Sequence, residues 1–439
     1  MRVIVTPPRR LAGTVQVPGD KSVSHRAGLL GALATGPTEI TGFLESLDCL
    51  NTLRALQALG VEVTRKGPGE YRIGGAGPGG LQEPDNVLDC GNSGTSARLL
   101  LGVLAGQPFW SVLTGDDSLR RRPMGRVAEP LRQMGASVVG RGEGSRLPLA
   151  IRGARPLKGL RYRSPVPSAQ VKSAILLAGL FADGEVSVEE PAPSRDHTER
   201  MLRGFGCRVR VDGRSVTVTP GGDLRGHSIR VPGDISSAAF FLVAGAIVPG
   251  SAVTVSGVGV NPTRTGLLDV LGEMGAELGI SDRQGDDEPG ATLTARASRL
   301  RGARLGGALI PRLIDELPIL AVAAAAAEGV TEVLDAAELR VKESDRIATL
   351  GAELTKLGAR VEERADGFRI RGGAPLRGAV VRSWGDHRIA MALIVAGLVA
   401  EGQTVVEDTQ CIATSYPEFL TTLNALTSEP CAYPEGAPA

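Results

Sequence analysis

The chain alternates long apolar runs with short polar turns, and the alternation occurs six times. Each copy is a polar turn, an apolar run of helical length, a glycine and then a β-branched stretch. The copies are GDKSVSHRAGLLGALATG, NSGTSARLLLGVLAG, PSAQVKSAILLAGLFADG, GDISSAAFFLVAGAIVPG, IDELPILAVAAAAAEG and GDHRIAMALIVAGLVAEG. The glycines that close them, Gly36, Gly106, Gly184, Gly250, Gly329 and Gly402, lie 70, 78, 66, 79 and 73 residues apart, which marks an internal repeat. Five copies continue into a second helix-like run ending at Gly60, Gly135, Gly206, Gly275 or Gly358. Glycine fits the left-handed position just past a helix end. Alternating segments such as VEVTR, CRVRVDG and ARVEE follow and read as strands. The predicted unit is therefore β-α-β-α-β-β.

Six such units divide into two domains of three, an α/β class. The first helix of each unit is apolar nearly all round, as in AAFFLVAGAIV, so it belongs inside its domain with sheets around it. The second helices are amphipathic and belong outside. This arrangement is an inside-out α/β barrel, with helices where a sheet usually sits. A Pro-Gly turn in RVPGD (230–234) sets the predicted cut between the two domains. The Pro- and Ala-rich tail TSEPCAYPEGAPA reads as poorly ordered.

Composition narrows the function. A formal charge of +1 argues against nucleic acid or an anionic membrane held by bulk charge. The five cysteines are scattered without a CxxC pair, so neither a disulfide framework nor a zinc site is indicated. No apolar run is long enough for a bilayer, and the start MRVIVTPPRR lacks a signal peptide's apolar core, which points to the cytoplasm. Lysine is rare, 6 of 49 basic residues, yet Lys21, Lys172 and Lys342 all fall in the polar turns. A lysine where the chain otherwise uses arginine suggests a need for a compact, rotatable ammonium group.

The polar residues gather where the apolar helices start, in GDKSVSHR, CGNSGTSAR, PSAQVK, LIDELP, RVKESDR and GDHR, with two loop clusters, SLRRRPMGR and PSRDHTER. Free backbone N–H groups and the helix dipole favour anions there. Capping and surface solvation would account for any one cluster, but eight at equivalent ends of repeated units imply a shared site. With one polarity for all units, Lys21, Arg26, Arg98, Arg122, Arg195, Lys342, Arg346 and Arg388 would line a common cleft between the domains. Asp315 and Glu343 would be its prominent acids. So basic a site suits substrates with several phosphates and carboxylates. Gly75, Gly77 and Gly80 match GxGxxG but open no helix, and GDKS lacks the glycine that a P-loop requires before its lysine.

In order and spacing, GDKSVSHR, CGNSGTSARLL, LRRRPMG, VPSAQVKSAILLAGL, LIDELPILAVAAA, LRVKESDR and WGDHRIAM resemble the signatures of the 5-enolpyruvylshikimate-3-phosphate synthases. The resemblance runs from about residue 6 to residue 426. VPSAQVKSAILLAGL and SRDHTE look like the bacterial subclass that includes glyphosate-tolerant members. The resemblance implies the enolpyruvyl transferase fold, a site in the interdomain cleft, and an N-terminal strand paired with the second domain, giving residues 20–231 as one domain and 1–19 plus 232–439 as the other. It implies transfer of the enolpyruvyl group of phosphoenolpyruvate to the 5-hydroxyl of shikimate 3-phosphate, with no cofactor, no metal, no nucleic-acid partner and a monomeric state.

Residue by residue, the resemblance implies that Lys21 touches both substrates and that Ser22 and Arg26 hold the shikimate carboxylate side. Ser168, the Ala169 backbone and Arg195 would take the 3-phosphate, Gln170 would lie by the shikimate ring, and Lys342 would bind its hydroxyls. Phosphoenolpyruvate would meet the Gly94 backbone, Arg122, Gln170, Glu343, Arg346 and Arg388, with His387 nearby. Asp315 is the candidate base at the 5-hydroxyl, Glu343 the candidate proton carrier at C3, and Lys21 would assist the leaving phosphate. Two positions qualify the match. Thr414 replaces a lysine that many members place against phosphoenolpyruvate, and Gly94 is the glycine of glyphosate-sensitive enzymes, so inhibition by glyphosate is expected. A related transferase acting on UDP-N-acetylglucosamine resembles this one but has Lys-Asn near its start and a loop cysteine, where this chain has Lys21–Ser22 and SLRRRPMG. A non-catalytic anion-binding repeat scaffold would keep the arginines and need neither Asp315 nor Glu343.

Overall fold

A computed structural model describes residues 1–285 and 288–436. The chain forms two compact units, Gly19–Val231 and Met1–Pro18 with Pro232–Ala439. Each unit contains three four-stranded sheets among its described residues, and all six sheets share one topology. In the sheet of Leu160–Arg163, the first strand runs parallel to Val186–Glu189. That strand pairs antiparallel with Ser215–Thr219, which pairs antiparallel with Arg208–Asp212. The order of strands within a unit is thus first, second, fourth, third, the layout that a β-α-β-α-β-β repeat gives when its last two strands form a hairpin.

Three sheets borrow strands from distant sequence. Ser228–Arg230 pairs parallel with Thr38–Thr41, and Ala12–Gln16 pairs parallel with Ala252–Gly259. In the last sheet Val3–Val5 lies between Thr404–Glu407 and Ala432–Pro434. That last pairing corrects the expectation for the tail. Asn424 accepts from the Cys431 N–H at 2.9 Å and donates to the Ala432 carbonyl at 2.7 Å, and Cys431 and Ala432 are buried. Proline and alanine content misleads here because a strand of three residues suffices to complete a sheet. Residues 437–439 of that tail lie outside the described residues.

Six apolar helices form the centres of the units: α1 (Lys21–Leu33), α2 (Gly94–Leu104), α3 (Ala169–Gly179), α4 (Ile235–Ile247), α5 (Leu317–Ala326) and α6 (His387–Gly397). Between their first turns and their last residues they are buried on every face. α2 packs on α3 and α1, and α4 packs on α5 and α6. Helices that lie mutually in contact leave the sheets to face solvent with their outer sides, which is why the strands alternate buried and exposed positions. The glycines ending the second helices, Gly60, Gly135, Gly206, Gly275 and Gly358, all have φ between 82° and 104°, the left-handed conformation that stops each helix and turns the chain into its hairpin. Among the described residues no helix is long and apolar enough to cross a membrane.

Candidate active site

Each central helix begins at a polar residue, and four are capped by their own Ncap side chain. Asp20 accepts from the Val23 N–H at 3.0 Å, Ser93 from Ser96 at 3.1 Å, Asp234 from Ser236 at 2.8 Å and Asp386 from Arg388 at 2.9 Å. Such caps satisfy donors that the helix itself leaves unpaired. Around these starts stand the basic residues singled out in the sequence, in one set for each unit.

In the unit Gly19–Val231, Lys21 opens α1 and pairs with Asp48, a carboxylate on the outer helix Leu47–Ala58. Arg26 is buried one turn further on. It donates to the Ser22 carbonyl at 2.8 Å, Thr198 Oγ1 at 2.6 Å and Ser173 Oγ at 2.7 Å, tying α1 to α3 and to the outer helix His197–Gly204. At the start of α2, Arg122 reaches Asn92 Oδ1 at 2.8 Å and its carbonyl at 3.2 Å. Arg98 donates to Gln170 Oε1 and to the Pro123 carbonyl. Gln170 in turn donates to Thr95 Oγ1 at 2.9 Å, so the starts of α2 and α3 share one polar network. A Cβ at Gly94 would come within 2.9 Å of Arg98 Nη1 and 3.3 Å of Arg122 Nη1, so glycine there lets two guanidinium groups close on the helix start. Ser168 precedes α3 without capping it through its side chain. Arg195 lies in the loop 191–196 before the outer helix, half-buried.

His25, wholly buried, accepts or donates at 2.7 Å with Thr52 Oγ1. Burial, then the charges of Lys21 and Arg26, hold its pKa well below the ordinary 6.5. The unfolded chain takes up this proton as pH falls through 6.5 while the folded one resists it. The stability associated with a neutral His25 is therefore complete above pH 6.5 and declines as pH falls below it. His25→Gln is expected to lose less stability than the parent between pH 7 and pH 5 in urea unfolding. An equal loss in both would remove His25 as the cause.

In the other unit one side chain organises the site. Arg346, only 1% exposed, donates from Nε to Asp386 Oδ2 at 2.8 Å and from Nη2 to Glu343 Oε2 at 2.6 Å, while Nη1 lies 3.4 Å from Asp315 Oδ1. Burial opposes its charge, but Asp386, Glu343 and Asp315 outweigh that and raise its pKa further. Asp386 is buried too, which works against its ionisation, yet Arg346 holds it below the ordinary carboxylate range. Asp315 and Glu343 differ from Asp386 in access, with side chains 13% and 17% exposed against 0%. Lys342 Nζ stands 3.6 Å and Arg388 Nη2 3.9 Å from Asp315, and Arg388 also donates to the Asp315 carbonyl at 3.2 Å. His387 begins α6 and is buried.

Beyond Asp315 and Glu343, further acids pair the cations at the helix starts. Asp48 pairs Lys21, Asp386 pairs Arg346, and Glu190 and Glu199 pair Lys172. Arg264 is a further buried cation, bonded to Ser236 Oγ at 2.7 Å and Asp234 Oδ1 at 3.3 Å with Glu316 nearby. The recurrence of Gly-Asp before α1, α4 and α6 was the available signal for the caps. Glu199 lies in the PSRDHTER cluster, while Asp48 and Glu190 come from outer elements and carry no such signal.

The arrangement gathers two open carboxylates on one guanidinium and lines helix starts with cations, chemistry suited to proton transfer on anionic substrates. The family profile described as EPSP synthase (3-phosphoshikimate 1-carboxyvinyltransferase) matches residues 5–423. A protein of Geobacillus kaustophilus named 3-phosphoshikimate 1-carboxyvinyltransferase is 58% identical over 419 residues, 95% of this chain and 98% of that one. One of the same name from Desulforamulus reducens is 54% identical over 420 residues, again 95% of this chain and 98% of the relative. The solved EPSP synthase of Acinetobacter baumannii superposes with a TM-score of 0.88 at 46% identity, covering 98% of this chain and 99% of its own. The repeated fold, the cation-lined helix starts and the full-length matches converge on one assignment: this chain belongs to the EPSP synthase family.

Proposed function

We propose that this chain is a 3-phosphoshikimate 1-carboxyvinyltransferase, moving the enolpyruvyl group of phosphoenolpyruvate to the 5-hydroxyl of shikimate 3-phosphate and releasing phosphate. The observation that carries the reading is Arg346, buried among Asp315, Glu343 and Asp386. It holds two accessible carboxylates in fixed positions beside one cation, as a reaction that moves protons twice requires.

The chemistry assigns the roles. Asp315 takes the proton of the 5-hydroxyl as its oxygen adds to C2 of phosphoenolpyruvate, and Glu343 delivers a proton to C3, giving a tetrahedral intermediate. Glu343 then removes a C3 proton as the C2–O bond to phosphate breaks, the proton taken from the 5-hydroxyl leaves with the phosphate, and Lys21 compensates charge on the leaving group. The Gly94 backbone, Arg122, Gln170, Arg346 and Arg388 hold phosphoenolpyruvate, with His387 beside it. Ser22, Arg26, Ser168, Ala169, Gln170, Arg195 and Lys342 hold shikimate 3-phosphate. Arg26 acts mainly by fixing the Ser22 carbonyl, because its guanidinium is buried and bonded to protein. The enzyme works as a cytoplasmic monomer without a metal or organic cofactor.

The decisive assay is phosphate release from phosphoenolpyruvate with shikimate 3-phosphate or with UDP-N-acetylglucosamine. Release only with the former supports the reading. Release only with the sugar nucleotide, or with neither, overturns it.

Glyphosate inhibition belongs to the same proposal, because Gly94 leaves the Arg98 and Arg122 guanidinium groups room at the helix start. Gly94→Ala must displace those groups by a few tenths of an ångström. It is expected to raise the phosphoenolpyruvate KM and the glyphosate concentration for half-inhibition by about tenfold each. Unchanged values for both would separate Gly94 from that site.

A further inference from the structure

Lys172 lies in the second turn of α3, 3% exposed, with its ammonium 2.8 Å from Glu190 Oε2 and 2.7 Å from Glu199 Oε1. Both carboxylates are as buried as the lysine. Desolvation works against the ammonium, but Glu199 and Glu190 outweigh it, so Lys172 stays charged. A cluster of one cation and two anions in a dry interior is poor evidence of stabilisation, since an apolar replacement often serves as well. What distinguishes this cluster is where its spare hydrogen bonds go. Glu190 Oε1 accepts from the Ser168 N–H at 2.9 Å, and Oε2 accepts from Ser194 Oγ at 2.8 Å. Ser168 is the Ncap of α3, and Ser194 adjoins Arg195.

We infer that Lys172 and Glu190 are positioning residues for the phosphate of shikimate 3-phosphate. The inference rests on the reading above, which gives Ser168, the Ala169 backbone and Arg195 to that phosphate. Lys172 fixes Glu190, and Glu190 clamps two separate loops, one ending at Ser168 and one leading into Arg195. With its own N–H held by Glu190 and its hydroxyl not spent on capping, Ser168 keeps a fixed backbone and a side chain free to turn to a ligand. Lys172, shared with Glu199, offsets part of the Glu190 charge from behind, and the Ser168 N–H and Ser194 hydroxyl that Glu190 accepts occupy its outward lone pairs.

The test compares the parent with Glu190→Gln and Ser194→Ala in steady-state phosphate release, and in calorimetric binding of shikimate 3-phosphate alone. Glu190→Gln keeps an acceptor for Ser168 but leaves Lys172 with one carboxylate. It is expected to raise the KM and Kd for shikimate 3-phosphate about tenfold and leave the phosphoenolpyruvate KM within about twofold. Ser194→Ala removes one hydrogen bond, folds without difficulty and should raise the same two constants about threefold. If both variants leave those constants unchanged, or move both substrates' KM values equally, the inference is wrong. If the parent itself does not bind shikimate 3-phosphate, the functional reading fails first.

Discussion

Replacing Arg346 by methionine is expected to destabilise the unit Met1–Pro18 with Pro232–Ala439 by about 3–5 kcal/mol at pH 7, and to abolish turnover. The guanidinium is the shared partner of Asp386, Glu343 and Asp315. Methionine fills most of its volume and leaves three carboxylates around an apolar group, one of them with no access to solvent. The pH dependence identifies the cause. In the parent, Arg346 depresses the Asp386 pKa, so its contribution is present above the ordinary carboxylate value of 3.8 and is lost as pH falls through the folded value. In the variant burial acts without the cation and raises that pKa, so the variant gains stability relative to the parent as pH falls from 7 to 5. Urea unfolding at the two pH values reads this directly. Arg346→Lys keeps the charge but offers one ammonium to three partners, so it should recover part of the stability and little of the turnover. A methionine variant as stable as the parent, with the same pH slope, would mean that the cluster is not coupled as the distances imply.

Much of this fold is legible in the sequence because its repeat is written in strong, local signals. Six apolar runs with no polar face can only be buried helices, and a glycine at each second-helix end states the left-handed turn outright. The strand order follows from the unit, since a hairpin after a β-α-β crossover returns its last strand to the middle. The borrowed strands are not so written. Val3–Val5 and Ala432–Pro434 are three residues each, too short for periodicity to register, and only their pairing with Thr404–Glu407 gives them meaning. The cations of the site are also legible, because Lys or Arg at the start of an apolar helix demands an explanation. Their partners are not. Asp48 and Glu190 stand on an outer helix and past a strand end where carboxylates are ordinary, and nothing in their neighbours announces that a lysine from another element will reach them. Sequence thus displays the charge that needs compensation more readily than the charge that compensates it.

Glu343→Gln is the sharper test of chemistry, because it should change the reaction and spare the fold. Glu343 accepts from Arg346 at 2.6 Å and is more open than Asp386, so a glutamine oxygen can keep that hydrogen bond while the exchangeable proton is lost. Turnover is expected to fall about 10²–10⁴-fold, the usual contribution of one general acid–base group. Both KM values should stay within about threefold, because the binding cations are untouched. An isotopic readout separates this role from a merely electrostatic one. If Glu343 delivers and removes the C3 proton, the parent in D₂O places deuterium in the vinyl group of product and of recovered phosphoenolpyruvate. Glu343→Gln should suppress that exchange at least as strongly as it suppresses turnover. Loss of turnover with exchange intact would move the C3 proton to another group and leave Glu343 as a partner of Arg346. Asp315→Asn, by contrast, acts at the hydroxyl, since Asp315 stands among Lys342, Arg346 and Arg388. The two carboxylates share one guanidinium, so the effects of the double variant should fall short of the product of the single ones.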